Sequence, residues 1–581
     1  VLSVPVADRA IGGRAGRAEG ILSASTSVQG KMDERPLDPP RLRHGSRLAG
    51  AGGRLVWALA AAAVASLAVG CTLHQAGVLP PEDRIFFPGG AIVGPGGGWL
   101  YVVNSNSDLR YNAGTILAVN LPSTAADLAT GRSDPGHWAS CPSDPTLTKP
   151  NNHAQCCWDV LDPLILNCDE RVYVRSDVTV RIGSFAGQPV FQRLKPGSTP
   201  VAAGIGERMF VPVRGNGSVT LLDLSTATPE APRLYCTGTR TAPTSLPGYT
   251  QEPFAVCDPA WTITRADDPA VEPLAPNIPD NEVLRLPDEA YALAVDDLLA
   301  NPLLYVGHLS NGALSLVYLG TGEDDFPELL GTNGAIVPPD ANGARGLTSL
   351  RVRYPGPPTD PNVCGGPVYA TSRYRNVASS FVVAGIDGAD CTFTPQLEPS
   401  DSRTLAVIGR GDVLSTGVPG TETRGIEFMS AAEVGGSSGG GGDVIFLLQR
   451  TPPVLAALDA STNLPFATVE LCQGPVALSQ QKTVDGVAFG LDGPSLFVTC
   501  FDSGEVYVID ASAPRVKAII PVGRGPVSIV FDETDPTRGY IVGFGANNVS
   551  VVDLDPASPT HYRVIQRIGF PSPAPRELDP L

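Results

Sequence analysis

Histidine and methionine are scarce in this chain, six and three among 581 residues, and charged side chains make up 17%, below the ~25% of an average globular protein. General acid–base chemistry therefore has few imidazoles to draw on. The patterns HExxH, CxxCH and a phosphate-cradling GxxxxGK[ST] are absent, which removes zinc-protease, c-type haem and P-loop readings. No CxxC occurs, and acidic stretches such as GEDDFPE lack the DxDxDG spacing of a calcium loop, so no metal and no cofactor is expected. Gly435–Gly439 fits GxSxG formally, yet it lies in a glycine tract instead of a strand-to-helix elbow. No catalytic residue is assigned. Basic residues are outnumbered 41 to 59, a net charge of −18, which argues against nucleic acid as a partner. No stretch keeps an amphipathic helical period over three turns.

What the chain does have is a repeated β module. Two copies run back to back from Leu496 to Asp553, each with an apolar strand, a polar turn and a second apolar strand closing on Asp510 or Asp553. Those aspartates read as turn residues that accept from backbone amides just beyond them. Aligning the strand aromatic gives Tyr101, Phe210, Tyr305, Tyr369, Phe446, Phe497 and Tyr540. Such a module cannot bury both faces alone, so seven copies predict an all-β fold, a seven-bladed β-propeller. The final spacing of 43 residues matches a bare four-stranded blade, and the longer earlier spacings imply loop insertions at about 122–170, 231–288, 321–345 and 388–403. PVSIVF, GYIVGF, NVSVVDL and YRVIQRI read as the last blade from inside to outside. Residues 178–185 read as the outer strand of blade one, EAYALAVDDLLA begins as an inner strand, and the glycine tract 434–442 forms a tip within blade six. Both 84–90 and 563–571 are candidates for the outermost strand of blade seven.

Residues 1–70 stand apart from this pattern. Arg41, Arg43, Arg47 and Arg54 precede a mostly apolar run at 55–69 that ends in LAVGC. Fifteen residues fall short of the ~20 that span a bilayer, whereas a basic flank, a short apolar run and small residues mark a secretory signal. The LAVGC ending resembles a bacterial lipobox, which implies lipidation of Cys71. The expected organisation is an upstream extension and signal peptide (1–70), a lipidated cysteine and tether (71–90), the propeller (91–570) and a disordered tail (571–581). Thr72, instead of Asp, after the cysteine favours the outer membrane. Without the leader, which holds nine of the 41 basic and five of the 59 acidic residues, 32 face 54, a net of −22.

Ten further cysteines, an even number in an exported chain, read as disulfides. Sequence neighbours suggest Cys236–Cys257, Cys364–Cys391 and Cys472–Cys500, the last stapling blade six to blade seven. Cys141, Cys156, Cys157 and Cys168 form a cluster with three possible connectivities, of which direct pairing of Cys156 with Cys157 is strained.

Arginines recur where second-to-third-strand turns and blade junctions open on one face of the ring. Arg214, Arg373, Arg375 and Arg450 belong to the turns; Arg345, Arg424 and Arg524 belong to the junctions; His308 and Asp502 hold equivalent places. A funnel lined this way focuses positive potential on a small anionic ligand. The competing reading pairs each arginine with a carboxylate such as Glu427 or Asp502, tying blades together.

VYVID, VVDLD and VGRGPVSIVFD resemble the repeats of the YVTN-repeat, lactonase-like seven-bladed propellers, a group that includes periplasmic YncE-like proteins. The resemblance covers about 91–570 and implies a propeller without implying one activity. Two functions compete. One is a binding or scaffolding lipoprotein of the cell envelope, held to the membrane by its lipid anchor, with an envelope protein or a small anionic ligand as partner. The other is a lactonase-like hydrolase opening a cyclic ester at the funnel.

Overall fold

A computed structural model describes residues 77–570 apart from 95, 143–154, 194–204, 226–231, 238–253, 265–285, 297–301, 320–326, 334–335, 354–362, 386–404, 435–441 and 482–491. The leader, Cys71, the Cys364–Cys391 pair, the insertion at 388–403, most of the glycine tract and the tail lie outside the described residues.

Seven sheets, each built on four antiparallel strands, follow one another along the chain. Blade one is Pro88–Val93, Trp99–Asn104, Gly114–Asn120 and Val180–Ile182, and blade two is Val190–Arg193, Ile205–Val213, Ser218–Ser225 and Arg233–Tyr235. Blade three is Ala290–Asp296, Leu303–His308, Leu314–Tyr318 and Glu328–Asn333; blade four is Leu347–Val352, Val363–Ser372, Val377–Gly385 and Leu405–Ser415. Blade five is Thr421–Met429, Val444–Thr451, Val454–Asp459 and Leu464–Glu470; blade six is Pro475–Gln480, Ser495–Cys500, Glu505–Asp510 and Arg515–Pro521. Blade seven begins with Pro526–Phe531, Arg538–Gly543, Asn548–Asp553 and Arg563–Ile568. The all-β, seven-bladed propeller expected from the repeats is the fold.

All seven aligned aromatics sit on second strands, and each is at most 4% exposed. Burying one such ring stabilises by about 2–3 kcal/mol. The apolar clusters run between neighbouring sheets: blades one to three share one, and the pairs three–four, four–five, five–six and six–seven share others. The last seam closes the ring, with Leu100, Val102, Leu117 and Val119 of blade one against Tyr540, Val542, Val549 and Val551 of blade seven. Strands covered on both faces need no alternation, hence the continuous apolar runs. The turn aspartates act as read: Asp510 Oδ1 accepts from Ser512 N at 3.1 Å, and Asp553 Oδ1 from Asp555 N at 3.0 Å.

Ring closure decides between the two candidate strands. Segment 84–90 runs into the innermost strand of blade one, and Arg563–Ile568 alone is the fourth strand of blade seven. The first insertion then adds two more: Leu166–Cys168 pairs in parallel with Gln566–Ile568, and Cys156–Trp158 pairs with Leu166–Cys168. Blade one thus clasps blade seven. Disulfides Cys156–Cys168 and Cys141–Cys157 cross-link this hairpin, choosing one of the three connectivities. Arg567 reaches Asp159 Oδ2 at 2.9 Å, and buried Gln566 donates to the Thr124 carbonyl at 3.0 Å.

The same insertion opens with an α-helix, Leu121–Ser133, where no helix was expected. Its apolar periodicity is faint, but Asn120 accepts from Ser123 N at 2.9 Å and Pro122 stands in its first turn, so local capping starts it. The stretches 231–288 and 321–345, read as insertions, contain the fourth strands of blades two and three. Cys236–Cys257 is formed. Cys472–Cys500 is formed too, but it ties the junction between blades five and six to the second strand of blade six, instead of joining six to seven. The glycine tract lies between the first two strands of blade five, not in blade six. The register of the sheets moves both features by one blade.

The clasp predicts that Cys156→Ser/Cys168→Ser destabilises the chain by about 2–4 kcal/mol in urea unfolding. Limited proteolysis of the double variant should cut first at 159–165; cleavage elsewhere, with an unchanged midpoint, contradicts the role assigned to the hairpin.

Candidate functional site

The face bearing second-to-third-strand turns and blade junctions is built by one repeated backbone bond. The first residue after the second strand donates its N–H to the carbonyl of the residue that leads into the first strand. The pairs are Ser105 to Phe87 (3.0 Å), Arg214 to Phe185 (3.3 Å), Leu309 to Glu289 (3.1 Å), Arg373 to Gly346 (2.9 Å), Phe501 to Gly474 (2.9 Å) and Phe544 to Gly525 (2.9 Å). In blade five, Arg450 and Glu422 take the same places inside a longer ladder. Immediately after the junction residue the register of the first strand slips at a bulge, as at Pro88/Gly90, Ala290/Ala292, Thr423/Gly425 and Pro526/Ser528.

Six of these seven junction residues have left-handed backbone: Phe87 (φ 42°), Phe185 (60°), Glu289 (57°), Glu422 (68°), Gly474 (65°) and Gly525 (59°). Glycine takes that conformation freely, whereas for the four others it stores strain of order 1 kcal/mol each. Two blades accept that strain to place a carboxylate at the mouth and two to place an aromatic ring.

Charge at the mouth is unevenly neutralised. Arg214 Nη2 lies 3.2 Å from Glu289 Oε1, across blades two and three, with its guanidinium 5.7 Å from the Tyr291 ring centre. Glu422 pairs with Arg424 and, at 3.7 Å, with Arg450, which also reaches Asp502 at 3.5 Å across blades five and six. Arg375 donates to the Pro339 carbonyl at 3.3 Å. Arg345 and Arg373 have no carboxylate partner among the described residues, and Arg524 is exposed at the junction into blade seven. Glu427 belongs to Arg351, whose Nε stands 3.1 Å from it, and not to a mouth arginine.

His308 is fully buried beneath this face. Its Nδ1 lies 3.2 Å from the Asp288 carbonyl and its Nε2 2.9 Å from Ser315 Oγ. A carbonyl only accepts, so Nδ1 carries the proton and Nε2 accepts from the hydroxyl. Burial pushes its pKa down to about 4, against the pull of the Asp288 and Pro287 carbonyls. Asn104 does the same task in blade one: at the equivalent register position it accepts from Phe86 N at 3.0 Å and donates to Thr115 Oγ1 at 2.8 Å.

The mouth also has an aromatic sector that scanning for arginine passes over. Phe544 stacks edge-on with Phe87 at 5.5 Å and tilted against Phe501 at 6.1 Å, so blades six, seven and one meet in half-exposed rings. The signal was in the sequence: CFDSG and GFGAN both place Phe directly after the second strand, where VRGNG, SRYRN and QRTPP place arginine. Among the described residues no group of three or more His, Cys, Asp or Glu is arranged to hold a metal.

No family model matches the chain, and no curated protein matches it. Solved structures similar to it include dihydro-heme d1 dehydrogenase NirN, 13% identical with a TM-score of 0.35 over 70% of this chain and 61% of that one. A Lactobacillus plantarum protein is 11% identical, with a TM-score of 0.40 over 68% and 89%. Saccharomyces cerevisiae Sqt1 is 8% identical, with a TM-score of 0.39 over 82% and 84%. The chain matches about three fifths of the NirN chain, and likeness at these scores assigns no ligand or reaction.

The lowered pKa of His308 predicts a pH dependence whose sign is fixed. Protonation favours the unfolded chain, so the contribution is complete above pH 6.5 and is lost as pH falls toward 4, about 3 kcal/mol in all. His308→Asn, the residue blade one uses, should flatten the urea-midpoint slope between pH 4 and 6.5 relative to wild type; parallel slopes contradict the assignment.

Proposed function

We propose that this protein is an exported, lipid-anchored propeller of the bacterial envelope, with the arginine- and phenylalanine-lined mouth as its binding face. The observation that carries this reading is the set of four non-glycine residues in left-handed backbone at equivalent junctions, of which Glu289, Glu422 and Phe87 make side-chain contacts at the mouth. The frame imposes this conformation, as Gly474 and Gly525 show, and four blades keep a side chain there where glycine fits without strain. A hydrolase reading asks for a base able to activate water, and His308, the one histidine near the mouth among the described residues, is buried with both ring nitrogens engaged. Charge and aromatic surface suit recognition of a partner better than proton transfer.

Location rests on separate grounds. Four disulfides among the described residues are compatible with an extracytoplasmic protein. Among the described residues no helix is long and apolar enough to cross a membrane. The lipobox-like ending at Cys71 supplies the anchor, Thr72 favours the outer membrane, and the YVTN-like repeats fit a periplasmic or surface-facing propeller.

Metabolic labelling with tritiated palmitate should mark the full-length chain in a bacterial host and fail with Cys71→Ser; label on the serine variant contradicts the anchor. A photo-reactive residue at Phe544 should give a discrete adduct in the envelope, while one at Leu464, 65% exposed on the outer rim of blade five, should not. Adducts from the rim alone contradict the mouth as binding face.

A further inference from the structure

We propose that blade four holds an oxyanion subsite made by Arg345, Arg373 and Arg375, suited to a carboxylate- or phosphate-bearing ligand. This rests on the mouth being the binding face and names the part of it that takes the charged group.

The argument is one of charge accounting around the ring. Arg214 is balanced by Glu289, and Arg424 and Arg450 are balanced by Glu422 and Asp502. Blade four brings three arginines to the mouth with no carboxylate among the described residues to meet them. The acidic group of the same junction, Asp340, turns Oδ1 to its own loop, where it accepts from Asn342 N at 2.8 Å and Ala344 N at 2.7 Å, and among the described residues it makes no ion pair with the three arginines. In a chain with a net charge of −18, three arginines gathered at one junction and its turn make a local positive field that favours an anion.

The backbone holds them together. Arg373 N donates to the Gly346 carbonyl, which fixes the turn onto the junction beside Arg345. A Cβ at Gly346 would stand 2.4 Å from the Leu309 carbonyl and 3.0 and 3.2 Å from Arg373 Cβ and Cδ, so the stem of Arg373 lies across a residue that must be glycine. Arg373 also lies 5.4 Å from the Tyr374 ring centre, a contact that leaves its donors open. Arg375 spends one donor on the Pro339 carbonyl and is otherwise exposed. Guanidinium forks in this number match the paired oxygens of a carboxylate or phosphate.

Isothermal titration of the full-length protein with citrate and, separately, with inorganic pyrophosphate tests the subsite and shows which oxyanion it prefers. Wild type should bind at least one of them, with affinity falling as salt rises. Arg345→Gln/Arg373→Gln should weaken binding by about tenfold or more, whereas Arg515→Gln/Arg563→Gln, which removes equal charge from the outer rim, should change it less than about twofold. Because Arg345 and Arg373 make no ion pair among the described residues, their double variant should melt within about 2 °C of wild type or higher. Absence of binding by wild type to either anion, equal affinity in the blade-four variant, or a drop in melting temperature of more than about 5 °C would overturn the proposal. Photo-adducts at Phe544 that persist while neither anion binds would reject the subsite and leave the binding face intact.

Discussion

Everything in this molecule depends on the fact that a four-stranded blade has two apolar faces and can cover neither. Tyr101, Phe210, Tyr305, Tyr369, Phe446, Phe497 and Tyr540 are buried because each sheet is sandwiched between two others. Removing a seam would expose two faces at once, so the arrangement is stable only when the last blade meets the first. Here every one of the four basic strands of blade seven comes from the C-terminal end of the chain, and blade one is built entirely from 88–182. Closure therefore falls to side-chain packing along the one–seven seam and to the cross-linked hairpin that blade one lays on blade seven's outer edge.

The same closed ring produces the mouth. Seven equivalent junctions meet seven equivalent turns, and a single N–H to carbonyl bond, repeated in six blades, fixes each pair. With the backbone settled, the side chains at those positions are free to differ: arginine in blades two, four and five, phenylalanine in blades six and seven, serine in blade one and leucine in blade three, the last two each following a buried Asn104 or His308. Three mouth carboxylates, Glu289, Glu422 and Asp502, pair with arginines across or within blades, which is the tying role. In blade four no carboxylate among the described residues pairs with Arg345 or Arg373, in a mouth that elsewhere offers aromatic surface.

Much of this was legible in the residues and some was not. The seven second strands stood out because each carries an aromatic in a continuous apolar run, and the turn aspartates and Cys236–Cys257 followed from short-range pattern. The clasp was hidden because Leu166–Cys168 and Gln566–Ile568 are about 400 residues apart and each is only three residues long in contact. Helix Leu121–Ser133 was hidden because it buries only Leu121, Thr124, Leu128 and Gly131, so its start is written in Asn120 and Pro122 instead of in apolar periodicity. Cys472–Cys500 was found as a pair but placed one blade late, since a cysteine after an outer strand reads equally as the end of one blade or the approach to the next. Phe87, Phe501 and Phe544 were missed because the mouth was searched for charge.

The central claim is that one backbone frame, common to all blades, holds the mouth rigid while its side chains vary. Native-state hydrogen exchange of the exit amides of Ser105, Arg214, Leu309, Arg373, Phe501 and Phe544 measures it most directly. The account predicts that these six amides are protected to a similar degree as the second strands they follow, because each donates to a junction carbonyl in a closed ring. Exchange at the rate of free loops, or protection confined to one or two blades, would contradict a shared frame.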